Sequence, residues 1–159
     1  MRNEKTHALK TLNFYNDDTY RQLTDRIAKL EANASRKWGK MSNDQMLHHL
    51  NIAIGSGLGF YELKDVSMPL ISPLLKWYVL RVSKSFLKGT PTSGTLKVKG
   101  ERYDFDAERD RLFEILAKAK QTRSDGDWRP HTLFGPLTRK EWGELICIHV
   151  DHHMKQFGV

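Results

Sequence analysis

Two histidines near the end of the chain, His149 and His153, stand four residues apart. On an α-helix this spacing places two imidazoles one turn apart on the same face, which suits two ligands of one divalent metal ion. The same face of such a helix carries a set of large apolar side chains. They are Trp142, Leu145, Ile146, Val150 and Phe157. Both histidines are therefore expected to point into the protein, as metal ligands or as ordinary core histidines.

A third histidine on an earlier helix strengthens the metal interpretation. Ser42 and Gln45 have the spacing of a capping box, so a helix is expected to begin there. On this helix His49 lies at the edge of the apolar side, whereas His48 points away. Three imidazoles from two helices can form a three-nitrogen site with open coordination positions, which suits Zn²⁺, Ni²⁺ or Fe²⁺.

Two longer motifs resemble a known family. The first has Trp-Gly-Lys-Met-Ser at 38–42 and Gln-Met-Leu-His-His-Leu at 45–50. The second has Phe-Gly-Pro-Leu-Thr at 134–138, Glu-Trp-Gly at 141–143 and then His149-x-x-x-His153-x-x-Gln156. Together they resemble the DinB/YfiT-like superfamily, and within it a branch of uncharacterised proteins with Phe-Gly-x-Leu-Thr-x-x-Glu-Trp before the last helix.

The resemblance implies an all-α fold, a four-helix bundle with up-down-down-up connectivity and a long insert between the second and third bundle helices. It also implies a divalent metal ion held by one histidine of the second helix and two of the fourth, here His49, His149 and His153. Superfamily members include thiol-dependent transferases, an isomerase that uses a low-molecular-weight thiol and presumed metal-dependent hydrolases. The resemblance therefore implies a particular metal site but leaves the type of reaction open.

Amphipathic spacing and capping residues predict the remaining elements. The expected helices begin near Asn16, Ser42, Ser72, Asp106 and Thr138, and the first is expected to extend to about Ala34. The residues at 89–94 are expected to form a loop, and those at 95–100 alternate like a short strand.

The insert at 60–100 has several interpretations. It could be a lid over the metal pocket, a face for a homodimer, or an irregular loop with one helix packed on the bundle. A peripheral membrane role is a weaker alternative, suggested by cations that accompany the aromatic side chains of the segment. These cations are Lys76, Arg81, Lys84 and Lys88. Its longest apolar stretch is shorter than the roughly 20 residues of a transmembrane helix.

Length and composition limit the function further. With 159 residues, one domain covering 1–159 is expected. The single cysteine, Cys147, cannot form an internal disulfide, and the N-terminus has no signal-peptide pattern, so a cytoplasmic location is expected. The net charge of +7 is spread along the sequence without a nucleic-acid motif. It favours a solvated basic surface that could attract an anionic small-molecule substrate over specific binding of nucleic acid.

Several other residues have a structural interpretation beside a functional one. The glycines at 55, 57 and 59 resemble a phosphate loop but follow a helix and lack its lysine, so a loosened helix end is expected. Cys147 is expected to be an inert thiol, and His131 is expected at the surface rather than in the pocket. His152 flanks the ligand pair, and Gln156 could orient a ligand or cap the chain end.

Two functional classes follow from these residues. The first is a metal-dependent enzyme, of the thiol-transferase or hydrolase type, whose open metal positions take water or a low-molecular-weight thiol. No carboxylate is identified as a general base by its spacing. The second class is a non-catalytic, metal-stabilised helical bundle that binds a partner or takes part in a stress response.

Overall fold

The computed structural model describes residues 9, 11–86, 88 and 100–159. These residues form five α-helices, and apart from one isolated bridge between His131 and Gly135 they form no β-structure. The helices are α1 (Asp17–Ala28), α2 (Asn43–Gly57), α3 (Ile71–Trp77), α4 (Phe105–Gln121) and α5 (Arg139–Phe157). The expected all-α class is confirmed.

The first helix, α1, begins as predicted but ends early. Asn16 caps it, because the Asn16 side chain accepts a hydrogen bond from the Thr19 backbone N–H at 3.0 Å. The helix ends at Ala28 rather than near Ala34. Beyond that point the carbonyl of Glu31 accepts a hydrogen bond from the Asn43 side chain at 2.9 Å, so the chain is held in a turn before α2.

The two helices that carry the histidines, α2 and α5, have the predicted capping boxes. Gln45 accepts a hydrogen bond from the Ser42 backbone N–H at 3.0 Å. In α5, Thr138 accepts from the Glu141 backbone N–H at 3.1 Å, and the Glu141 carboxylate accepts from the Thr138 N–H at 2.9 Å. These reciprocal bonds satisfy backbone donors at the first turn and fix where each helix begins.

The last helix, α5, is buried on more sides than its predicted apolar face. The expected inward residues are buried except His149, which is partly buried, and Cys147, Ile148 and Met154 are buried from other sides of the helix. Helices α1 and α2 both contact α5, and α2 also packs extensively against α4. The core therefore surrounds α5 and places α2 beside the part of α5 that carries the histidines.

A close approach between helices explains one glycine near the end of α2. A Cβ atom at Gly57 would lie 2.6 Å from the Trp142 ring of α5 and 2.9 Å from the Trp128 ring. Gly57 is still helical, so α2 extends further than the expected loosened end. Here glycine is required by close packing rather than by a turn.

The segment between α2 and α4 contains α3, which continues into a π-helical turn at Tyr78–Ser83. The expected short helix is confirmed, although Ser72 lies within it and is not its cap. The predicted loop at 89–94 and, except for Gly100, the predicted strand at 95–100 lie outside the described residues. Among the residues described, none of the helices has the length and apolar character needed to cross a membrane.

Candidate metal centre

Three histidines meet where α2 contacts α5. His49 projects from α2, and His149 and His153 project from successive turns of α5. One ring nitrogen from each lies within 4.8 Å of the other two. The structure therefore confirms that the three residues predicted from helical spacing come together.

The ring nitrogens are directed at one another. The Nε2 atoms of His49 and His149 lie 2.9 Å apart. Two nitrogens on one tetrahedral Zn²⁺ with bonds of about 2.0–2.1 Å would be separated by roughly 3.3 Å. A shift of a few tenths of an ångström would suit this pair to a shared metal ion, so the donor set fits a divalent cation.

Burial keeps the imidazoles of α5 uncharged. His49 and His153 are 4% and 5% exposed, and His149 is partly buried. Burial, followed by the effect of His49, lowers the pKa of His153 to about 3. Burial and the neighbouring histidines also lower the pKa of His149 well below its usual value. At neutral pH both rings therefore retain a lone pair that can bind a metal.

Gln156 determines which nitrogen of His153 faces the cluster. The Gln156 side chain donates a hydrogen bond from Nε2 to the Trp38 backbone carbonyl at 2.8 Å. Its Oε1 atom therefore accepts from Nδ1 of His153, which lies 2.8 Å away. With the proton on Nδ1, the lone pair on Nε2 is available to the cluster, as in many metal sites where an outer partner orients a histidine. Gln156 thus orients a candidate ligand rather than capping the chain end.

The backbone before α2 packs closely against the Gln156 side chain. Gly39 has a φ of +81°, and a Cβ atom there would lie 2.5 Å from Nε2 of Gln156. A side chain at position 39 would therefore displace the Gln156 amide as well as strain the backbone. The Trp38-Gly39 pair of the first motif has a structural role in positioning His153.

His48 and His152, the histidines adjacent to the predicted ligands, do not belong to the cluster. His48 packs against α4, where its Nδ1 atom lies 3.0 Å from the Glu108 carboxylate. Its ring stacks on Tyr103 with centroids 3.8 Å apart. His48 therefore faces away from the cluster as predicted, but towards another part of the protein. His152 contacts the edge of the Trp38 ring at a centroid distance of 5.9 Å and does not belong to the cluster of three.

Phe86 covers one side of the histidine cluster, a role that the sequence did not predict. Its ring lies edge-on to His149 and to His152, with centroid distances of 5.3 and 5.9 Å. Phe86 follows the π-helical turn, so the insert reaches the candidate site through this residue. No spacing pattern could have indicated it, because the contact depends on how the insert folds back.

His131 is partly buried, contrary to its expected surface position. Its Nδ1 atom accepts hydrogen bonds from the backbone N–H groups of Leu133 and Phe134, at 3.2 and 3.1 Å. The ring stacks on Phe134 with a centroid distance of 4.6 Å. Burial lowers the pKa of His131 to about 4. The imidazole is therefore neutral near pH 7 and carries its proton on Nε2.

The single thiol is inert. Cys147 is buried and unpaired by a disulfide, and burial raises its pKa to about 12. A thiol that stays protonated is a poor nucleophile and a poor metal ligand, which agrees with the expected role.

A separate cleft of about 400 Å³ lies at the start of α5, where Lys76, Trp128 and Glu141 contribute to its lining. None of the three clustered histidines lines it. Lys76 and Glu141 form an ion pair of 3.4 Å there. The cleft therefore lies between α3 and the N-terminus of α5.

Comparison with known proteins identifies the family without naming a function. No curated protein and no solved structure matches the chain. A family model does match residues 7–158, which include all three clustered histidines. The chain belongs to the family described as "Protein of unknown function (DUF1569)".

Proposed function

We propose that His49, His149 and His153 bind one divalent metal ion, such as Zn²⁺, Ni²⁺ or Fe²⁺. The observation that carries this proposal is the convergence of three ring nitrogens within 4.8 Å. Burial keeps His149 and His153 neutral, and Gln156 orients His153 so that its second ring nitrogen faces the cluster. Three neutral nitrogen ligands are typical of metal sites that keep open coordination positions.

As part of the same proposal, we assign the chain to the DinB/YfiT-like superfamily. Its bundle would consist of α1, α2, α4 and α5 with up-down-down-up connectivity, and α3 would belong to the insert. What supports this assignment is the origin of the histidines, one from the second and two from the last of these helices. The superfamily resemblance implies the same distribution.

We further propose a metal-dependent enzyme of the thiol-transferase or hydrolase type that acts on a small molecule. A divalent ion would supply Lewis acidity in the open positions. The three histidines add no negative charge, so an anionic group such as a thiolate or carboxylate is the favoured ligand there. The net charge of +7 would attract such substrates over longer distances.

The chain's own residues would prepare this site in distinct ways. Gln156 keeps the lone pair of His153 directed at the cluster, and the bond to Trp38 holds Gln156 in place. Phe86 packs against the ring of His149 and would shield that side of the site from water. A drier site strengthens the attraction between a cation and an anionic ligand.

A non-catalytic, metal-stabilised bundle that binds a partner is the second candidate. The observation that favours it is the set of exposed apolar side chains at the start of α3 and along it, which includes Leu70 at 90% and Leu74 at 66% exposed. Surfaces of this kind commonly mark interaction sites.

Metal content and thermal stability test the proposed site. Protein purified with metal present should contain about one divalent ion per chain, and chelation should lower its melting temperature. The reason is that a ligand bound only by the folded chain stabilises it. Restoring Zn²⁺ or Ni²⁺ should restore the melting temperature. The site would be excluded if the purified protein contained no metal and its melting temperature changed neither with chelator nor with added ions.

Spectroscopy of the cobalt-loaded protein separates the two candidates. A carboxylate-bearing thiol should produce a sulfur-to-cobalt charge-transfer band if an open position accepts thiolate. The wild-type protein should show the band, and the His149→Ala variant should not. Assays of thiol transfer and ester hydrolysis on the zinc-loaded protein should then show turnover. Metal binding with neither thiol coordination nor turnover would favour the non-catalytic alternative.

A further inference from the structure

The segment around α3 leaves an unusual amount of apolar surface exposed. Leu70 is 90%, Leu74 66% and Trp77 56% exposed. We call these residues and their exposed apolar neighbours the apolar strip. It consists of Met68, Leu70, Ile71, Leu74, Trp77, Tyr78 and Val82. A contiguous run of this kind is uncommon on a surface that faces only water.

The strip is one side of a segment that is apolar on both sides. Leu70, Leu74 and Trp77 are separated by four and then three residues, which places them along one face of the helix. Val79 and Leu80 in the π-helical turn are buried instead, and this turn contacts α5. The inner side therefore anchors the segment to the protein and leaves the outer side available.

The segment that carries the strip has cations but no anions of its own. From 66 to 88 the sequence has four cations, Lys76, Arg81, Lys84 and Lys88, and no aspartate or glutamate. Lys76 pairs with Glu141 at 3.4 Å and Arg81 with Glu144 at 2.5 Å, both on α5. Lys84 and Lys88 are exposed, and neither forms an ion pair with the described residues. Lys88 lies instead over the Trp38 ring, 4.4 Å from its centroid. The cation that follows the strip without an ion-pair partner among the described residues is therefore Lys84.

We infer that the apolar strip docks onto the surface of a lipid bilayer that contains anionic headgroups. Apolar side chains backed by lysine and arginine are the features by which a helix lies in the membrane interface. Trp77 and Tyr78 belong to the residue types enriched at that depth. Lys84 would contact the headgroup phosphates, and the overall charge of +7 would add long-range attraction.

Charge favours a bilayer over a second copy of the chain as the occupant. A two-fold dimer through this strip would place the same patch of each subunit against the other. Lys84 of one copy would approach Lys84 of its partner, and residues 66–88 supply no carboxylate to pair with it. Anionic lipid offers the opposite charge to this lysine.

Vesicle flotation tests the inference on the full chain. Vesicles of phosphatidylcholine alone are compared with vesicles that also contain phosphatidylglycerol. We expect the wild-type protein to float with the anionic vesicles, to bind the neutral ones at least tenfold more weakly, and to dissociate as salt is raised. The double variant Leu70→Gln/Leu74→Gln should lose at least tenfold in binding to anionic vesicles.

A pair of charge variants separates the strip from general electrostatic attraction. Lys84→Glu and Lys118→Glu change the net charge equally, but Lys118 is an exposed residue of α4. Only Lys84→Glu should weaken flotation severalfold. Melting curves and metal content of each variant should match the wild type, since the replaced side chains are exposed.

Four results would overturn membrane docking. Equal binding to neutral and anionic vesicles, or equal loss in the two lysine variants, would remove the proposed role of charge at the strip. No flotation of a correctly folded protein would exclude the bilayer. A concentration-dependent dimer in sedimentation that disappears in Leu70→Gln/Leu74→Gln, without flotation of the wild type, would identify a second copy as the occupant.

Discussion

At the level of single residues, Gln156 connects the start of the chain to a candidate metal ligand. Its amide bridges the Trp38 carbonyl and Nδ1 of His153. We expect Gln156→Ala to lower metal affinity by about 10- to 100-fold, as loss of an outer partner does in known metal sites. Calorimetric titration with Zn²⁺ would measure the change.

The control for Gln156 is Gln121→Ala, at the exposed end of α4. It changes the same residue type away from the cluster and should leave affinity unaltered. Gly39→Ala should weaken binding in the same direction as Gln156→Ala, because its Cβ atom would displace the Gln156 amide. If Gln156→Ala bound metal as tightly as Gln121→Ala, the orienting role would be wrong.

His131 should make stability depend on pH. Its pKa is lowered from 6.5 to about 4 by burial. Between these pH values the unfolded chain binds a proton that the folded chain does not, so the free energy of unfolding decreases as the pH falls from 6.5 to 4. His131→Asn keeps an acceptor for the Leu133 and Phe134 N–H groups but cannot bind the proton.

Over that interval the free energy of unfolding of His131→Asn should decrease less steeply than that of the wild type. The difference in slope should approach about 1.4 kcal/mol for each pH unit, the value for one proton. Urea unfolding at several pH values would measure both slopes. Parallel curves for the two proteins would show that His131 does not titrate in this way.

Helical phase was sufficient to select the three clustered histidines but not their surroundings. Spacing alone placed His149 above His153 and separated His49 from His48. The bond from Gln156 to Trp38 joins positions far apart in sequence, so no local pattern could predict it. The burial of His131 was missed because it arises from the folded link before α5.

At the level of elements, the close approach of α2 to α5 should make Gly57 sensitive to substitution. In an exposed helix, glycine to alanine usually stabilises by up to about 1 kcal/mol. Here the added methyl group would meet Trp142 at 2.6 Å, so Gly57→Ala should instead destabilise by about 1–3 kcal/mol. Chemical denaturation would give the sign.

Gly126→Ala serves as the matched control for Gly57. The nearest atom to a Cβ at Gly126 is the Ser124 hydroxyl at 3.7 Å, an ordinary contact. This variant should unfold with nearly the wild-type free energy. A Gly57→Ala protein as stable as the Gly126→Ala protein would contradict the tight packing of α2 on α5.

The starts of α1, α2 and α5 were predictable from the sequence, whereas the cap of α3 and some helix ends were not. The capping residues Asn16, Ser42 and Thr138 have local hydrogen-bonding roles that a short pattern reveals. The end of α1 depends on Asn43, which bonds the Glu31 carbonyl from the next helix. The π-helical turn after α3 likewise had no signal in the spacing of its residues.

At the level of the whole molecule, the net charge of +7 should give only weak affinity for nucleic acid. The cations are spread along the sequence without a binding motif. We expect sequence-independent binding of duplex DNA, with a Kd in the range of roughly 10⁻⁴ to 10⁻⁶ M at physiological salt. Fluorescence anisotropy with two unrelated duplexes would measure it. Tight binding that distinguishes the two duplexes would contradict the expectation.

The proposal that α2 and α5 hold one metal ion between them is tested most directly by calorimetric Zn²⁺ titration of single-histidine variants. His49→Ala, His149→Ala and His153→Ala should each abolish or strongly weaken binding, because each leaves only two of the three nitrogen ligands. His48→Ala should bind like the wild type, since its ring contacts Glu108 and Tyr103 instead. Loss of metal by His48→Ala together with retention by His49→Ala would contradict the proposed centre.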